Sequence, residues 1–183
     1  MSPDQAFELS RSLLAEPLPR RWAHSQGVAA AARRLAPILG DHADVLVTAA
    51  VLHDIGYSPT LVSTGFHPLD GARFLRAHGQ AEELVVRLVA NHSFALLEAE
   101  ERGLRETLEA EFPLPEQGAL VDALVYCDMT TTPTGEPTSH DERIAEIIGR
   151  YGPESVVGRF IRRAEPEIGR AVERTESRLT GRR

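Results

Sequence analysis

Histidines and aspartates occupy positions in this chain where a helical interior calls for apolar side chains. They are His24, the adjacent pair His53-Asp54, His67, His92 and Asp128, and four of these six fall on apolar helical stripes by spacing alone. An unpaired charge in a dry interior costs several kcal/mol, so any fold that buries these stripes must compensate the polar groups on them. A bound metal ion compensates several at once.

The spacing of His24, Val28, Ala31, Ala32 and Leu35 predicts a helix over about 19–39 with His24 on its inner face. The next, about 41–55, is apolar all round between 45 and 52, as a central buried helix would be, and Gly56 suits its C-terminal cap. Asp4 is the expected N-cap of a first helix that Pro17 and Pro19 end. Pro68 fits the first turn of a helix over 68–78, with His67 at its mouth. Over 81–92, Leu84, Val85, Leu88 and Val89 form a stripe that His92 extends, and over 117–129 Leu120, Leu124 and Asp128 share one line. The charged stretch 98–116, broken by Gly103, Pro113 and Pro115, reads as a surface excursion with some helix, and the Thr/Pro/Gly-rich stretch 130–140 as a mobile connector. Two amphipathic, Arg-rich helices follow from about 141, with fraying expected at 180–183. No strand-type alternation, repeat or linker interrupts this pattern. The expected class is all-α, folded as a single domain.

The bulk numbers narrow the function. With 183 residues, 42% apolar and 26% charged, the chain suits one globular domain with a sizeable core. A net charge of -7 and a pI near 5.5 argue against a nucleic-acid or anionic-membrane surface. All twenty basic residues are Arg, which excludes lysine chemistry such as a Walker A loop or a Schiff base. The lone Cys127 makes no intrachain disulfide and reads as a core thiol, so a cytoplasmic location is expected. No signal-like start and no apolar run near the ~18 residues of a membrane span is present, so the protein is expected to be soluble. His42, His78 and His140 lie off the stripes and are assigned to surface or turn positions.

His53 and Asp54 at a helix end can both reach one ion, with His24 and Asp128 arriving from two other helices. Nitrogen and oxygen donors without thiolate favour divalent Mn, Fe, Co, Ni or Zn. Taken in order, RWAHSQGVA around His24, AAVLHDIGY around His53-Asp54 and LVYCDMT around Asp128 resemble the hallmark segments of the HD-domain superfamily of metal-dependent phosphohydrolases, over roughly residues 20–132. The resemblance implies a helical-bundle fold in which His24, His53, Asp54 and Asp128 hold one ion. His67 and His92 stand where binuclear members carry two further histidines, which implies a second ion held by His67, His92 and a bridging Asp54. That branch includes dinucleoside-tetraphosphate hydrolases and cyclic-dinucleotide phosphodiesterases.

The implied activity is hydrolysis of a small, nucleotide-like phosphate ester or anhydride by a metal-activated water, with Asp54, His67 and His92 at the catalytic centre and one or two ions as cofactors. Arg21 and Arg73 are the expected phosphate clamps, because guanidinium makes bidentate contacts. Two branches fit poorly. The cyclic-dinucleotide branch usually has a Lys soon after its HD pair and a Gly-Tyr-Pro motif, and the alarmone-hydrolase branch an acidic pair there, whereas this chain has Gly56-Tyr57-Ser58-Pro59. Two rival readings stay open: a binuclear iron oxygenase built on the same ligands, and a sensor that holds metal and nucleotide without cleaving. No pattern fixes the oligomeric state.

Overall fold

A computed structural model of the chain describes residues 1–181. Its helices are α1 (Pro3–Leu14), α2 (Pro19–Arg34), α3 (Ala36–Leu39), α4 (Ala43–Leu52), α5 (His67–His78), α6 (Glu83–Asn91), α7 (Ala95–Glu101), α8 (Arg105–Glu111), α9 (Gly118–Met129), α10 (His140–Tyr151) and α11 (Val156–Leu179). Among the described residues the only β-type pairing is an isolated bridge between Thr131 and Pro137. The fold is all-α.

Helix α4 is the axis of the molecule. Every residue from Leu46 to Leu52 is buried, packed among α1, α2, α6 and α9, which is why its sequence is apolar all round. The predicted inner face of α2, from His24 through Leu35, is buried as its spacing requires. Helix α9 serves two cores. Leu120, Leu124 and Cys127 join the larger one around α4, while Val125 and Met129 pack with Ile144, Phe160 and Ile161 of α10 and α11. Each fully buried Leu, Ile or Phe contributes roughly 1.5–3 kcal/mol, so α9, and Asp128 with it, is held from both sides.

Several boundaries differ from the sequence reading for local reasons. The first helix is capped by Ser2, not Asp4: Ser2 Oγ accepts from the Gln5 amide, the Gln5 side chain accepts from the Ser2 amide at 2.9 Å, and Pro3 occupies the first turn. The 19–39 helix stops at Arg34 and restarts as α3, because Pro37 has no N–H for a continuous ladder. Helix α4 ends at Leu52, leaving Asp54 ahead of a 3-10 turn, Ile55–Tyr57. Gly56 lies in that turn and is not a left-handed cap. A Cβ there would stand 2.0 Å from the His67 carbonyl oxygen, so glycine lets this turn meet the start of α5.

The stretch read as a mobile connector is laid against α2. Gly135, at φ +88°, abuts the helix so closely that a Cβ on Gly27 would lie 2.3 Å from the Gly135 carbonyl oxygen. Two glycines facing one another therefore bring a loop backbone onto a helix backbone. Residues 98–116 carry the ends of α7 and all of α8, and the two Arg-rich C-terminal helices form as expected. Asp122 of α9 accepts from Arg174 and Arg178, tying α11 down. Thr180 and Gly181 form a terminal turn, and residues 182–183 of the stretch expected to fray lie outside the described residues. Among the described residues no single helix is long and apolar enough to cross a membrane.

Candidate metal centre

Five elements deliver the site. His24 comes from α2, His53 and Asp54 from the end of α4, His67 from the first position of α5, His92 from just after α6, and Asp128 from the last turn of α9. His24 Nε2 lies 3.0 Å from Asp128 Oδ1 and 4.0 Å from Asp54 Oδ2. His53 Nε2 lies 3.4 Å from Asp54 Oδ2 and 3.8 Å from Asp128 Oδ1. On the other side of Asp54, its Oδ1 is 3.4 Å from His67 Nε2, which is 3.1 Å from His92 Nε2. All six predicted residues therefore converge, with Asp54 between two groups.

The outer nitrogens of three rings explain which way the inner ones face. His24 Nδ1 donates to the Thr132 carbonyl at 2.9 Å, His53 Nδ1 to Ala50 at 2.7 Å and His92 Nδ1 to Val89 at 2.7 Å. A carbonyl can only accept, so Nδ1 carries a proton in each of the three rings and Nε2 is the nitrogen turned inward. The inner nitrogens of His24 and His53 face carboxylates, and that of His92 faces the Nε2 of His67. His53 Nε2 is buried with no hydrogen-bond partner at all. An unpartnered inward nitrogen among carboxylates fits a cation, and backbone-anchored imidazoles are the usual support of metal-ligating histidines. The donor atoms of His24, His53 and Asp128, and those of His53, Asp54 and His92, each lie within 4.8 Å of one another.

Electrostatics favour ionised carboxyls and unprotonated His67 and His92. Burial pushes the Asp54 carboxyl up, but the Arg21 guanidinium and the surrounding histidines outweigh it and hold Asp54 well below the ordinary carboxylate range. Burial likewise opposes ionisation of Asp128, and the hydrogen bond with His24 and the nearby His53 reverse the sign. Burial drives His67 and His92 below the usual imidazole range, so both are neutral at pH 7.

Other residues brace the centre that the sequence reading did not single out. Ser93, at 8% exposure, donates through Oγ to Asp128 Oδ2. It and Phe94 adopt left-handed backbone, φ +47° and +61°, which costs non-glycine residues roughly 1–3 kcal/mol each and is typical of strain stored beside a site. Nothing in the Asn-His-Ser-Phe sequence marks that conformation in advance. Tyr57 stacks on His67, ring centroids 3.9 Å apart, and the Arg21 guanidinium lies over the Tyr57 ring, 4.0 Å from its centroid. Asp70 accepts from the amides of Ser63, Thr64 and Gly65, fixing the loop that leads to His67.

The two predicted phosphate clamps part company. Arg21 lines the cleft over the His/Asp cluster and donates to Asp54 at 2.8 Å. Arg73 does not reach the site: it forms a part-exposed pair with Glu111, Nε to Oε2 2.8 Å, because its place on α5 points it toward α8. His42 and His78 are exposed and His140 is half-buried, all away from the cluster. Cys127 is a buried core thiol whose pKa burial raises.

The family described as HD domain matches residues 21–129, more than half of the chain. The chain belongs to the HD-domain family. That match begins at Arg21 and ends just past Asp128, so it contains every residue of the cluster. As an HD-domain protein it is similar to Ribonuclease Y of Rubrobacter xylanophilus, with 37% identity over 70 residues, 38% of this chain and 14% of that one. The shared stretch is thus a small part of the relative's length. No solved structure matches the chain. Helices α10 and α11 of this HD-domain protein lie outside the matched residues.

Proposed function

We propose that this HD-domain protein is a metal-dependent phosphohydrolase that cleaves a small, nucleotide-like phosphate ester or anhydride. The observation that carries the reading is the convergence of imidazole nitrogens and carboxylates around Asp54, above all the partnerless Nε2 of His53. His24, His53, Asp54 and Asp128 would hold one divalent ion, of Mn, Fe, Co, Ni or Zn. His67 and His92, together with Asp54, would hold a second. A divalent ion there supplies a nucleophilic water at neutral pH and polarises a phosphoryl oxygen.

The chain's own residues do the rest. Arg21 keeps Asp54 ionised and oriented, and Ser93 together with His24 fixes both oxygens of Asp128. Tyr57 holds the ring plane of His67 by stacking and, with burial raising its pKa, stays protonated. Apolar side chains of α10 and α11 shield the cleft from bulk water. In the reaction, the oxygen of water bonds to phosphorus, the bond from phosphorus to the leaving oxygen breaks, and the leaving oxygen takes up a proton.

The relative is named as a ribonuclease, but two properties favour a small substrate over a polymer here. The net charge is -7, and the cavity at the site is only about 80 Å³. We place the protein in the cytoplasm on its single, buried cysteine. The test is a phosphate-release screen over nucleotides, dinucleoside polyphosphates and simple esters, using protein purified without chelator and then reloaded with each metal. Release that disappears on chelation and returns with metal is expected. Tight nucleotide binding with no product in any metal would favour the sensor reading, and turnover only with O₂ the oxygenase reading.

A further inference from the structure

We propose that α10 completes the site: Arg143 supplies the guanidinium that holds a non-bridging oxygen of the substrate's phosphoryl group, and the apolar side chains beyond it hold the leaving group. This rests on the phosphohydrolase reading and adds what the HD-domain match does not reach, since α10 begins at His140.

Arg143 is 4% exposed, lines the same cleft as Asp54, His92 and Asp128, and its Nε has no hydrogen-bond partner. Its Nη1 is engaged by Glu146 on the next turn. A charged donor left unmade in a buried place is costly, and guanidinium presents its donors in a planar fork suited to phosphate. Nε itself is enclosed, but Nη2 makes no hydrogen bond among the described residues, so the guanidinium keeps a donor for an anion in the cleft that Arg143 lines. Arg150, one further turn along α10 and also on the cleft, shares the same Glu146 at 3.3 Å. Two guanidiniums against one carboxylate leave positive charge facing the cleft. Of the acids on the cleft, Glu98 is already engaged by Arg102 at 2.9 Å, and Asp54 and Asp128 belong to the His/Asp cluster, Asp128 lying close enough to feel the Arg143 charge.

Past Arg143 the wall turns apolar: Ile147, Tyr151, Val157 and Phe160 face the cleft from α10 and α11. Such a surface suits an ester whose leaving group presents an aromatic or otherwise flat apolar face. The substrate class is thus an organic phosphate monoester with an apolar or flat leaving group. Choice of substrate sits in the two C-terminal helices, while the HD core supplies the ions.

Orthophosphate affinity of the full-length, metal-loaded protein, measured by calorimetry, tests the anion site without relying on turnover. Arg143→Met should weaken orthophosphate binding 10- to 100-fold with metal content unchanged, and Arg143→Lys, which keeps charge but not the fork, at least 3-fold. In parallel, kcat/KM should favour phenyl phosphate over methyl phosphate at least 10-fold in the wild type, and Phe160→Ala should reduce that preference. Should Arg143→Met fail to fold, the lysine variant decides alone. Wild-type orthophosphate affinity in either metal-loaded variant overturns the role of Arg143, and equal kcat/KM for the two esters overturns the apolar subsite. If the wild type binds metal and orthophosphate but hydrolyses neither ester nor any other phosphate, the hydrolase reading fails while the anion site stands on its affinity data.

Discussion

Arg21 donates to Asp54 Oδ2 at 2.8 Å, so the carboxylate between the two halves of the cluster carries its own counter-charge from one turn before His24. A cation bound to Asp54 would take over that balancing role. Arg21→Met should destabilise metal-free protein by roughly 3 kcal/mol, the scale expected for orphaning one member of a buried pair, and the metal-loaded protein by clearly less. Urea unfolding with and without metal measures both. Equal losses in the two states would show that the ion and Arg21 do not share Asp54.

Acid should loosen the metal-free protein before it touches ordinary carboxylates. His67 and His92 are held below the usual imidazole range by burial, so below about pH 6.5 the unfolded chain takes up protons that the folded chain refuses. Stability is therefore complete above that pH and falls as pH drops through it, by at most about 1.4 kcal/mol per histidine per pH unit. Asp54 and Asp128, whose pKa values are depressed, act in the same direction at lower pH: their contribution is present above the ordinary aspartate range and is lost below it. Unfolding midpoints between pH 7.5 and 5.5 should decline for the wild type and decline less for His92→Gln. A flat profile would contradict neutral, buried histidines.

Ser93 separates strain from bonding. Ser93→Ala keeps a Cβ at φ +47° and loses the hydroxyl on Asp128, whereas Ser93→Gly loses the hydroxyl but relaxes the backbone. The glycine variant should be more stable than the alanine variant by about 1 kcal/mol, and both should bind metal less tightly than wild type. Thermal melts and metal titrations read the two effects separately; identical melts would remove the strain argument.

The 130–140 loop should act on the site through His24. A methyl on Gly27 would overlap the Gly135 backbone at 2.3 Å and push Thr132 away from His24 Nδ1. Gly27→Ala should cost about 1–3 kcal/mol and weaken metal binding. Gly149→Ala, in open space on α10, is the control and should be neutral or slightly stabilising. Metal affinity unchanged in Gly27→Ala would show that the loop does not orient the imidazole.

Helical spacing made the inner faces of α2, α4, α6 and α9 legible before any coordinates, because burial of a periodic stripe depends on little besides the pattern. Four of the six cluster residues could be found the same way, as polar groups on apolar lines, while His67, at a helix mouth, stood out only through the resemblance to the HD-domain order of ligands. What escaped was set by tertiary contact. Ser93's left-handed backbone, the Gly27–Gly135 approach and the buried Arg143 depend on what another segment places opposite them, and Arg73 was misassigned because a basic residue near His67 in sequence can face Glu111 in space. Gly56 was expected as a helix cap and is instead a point of backbone contact with α5. Such roles are pairwise, and one strand of sequence shows only one partner.

Metal stoichiometry bears most directly on the central claim. Protein purified without chelator and saturated with Mn, Fe, Co, Ni or Zn should carry two divalent ions per chain by elemental analysis, falling to one in His92→Ala and to none in Asp54→Ala. Wild-type protein that takes up no divalent ion at all, or an Asp54→Ala variant that keeps its full complement, would contradict a centre built around Asp54.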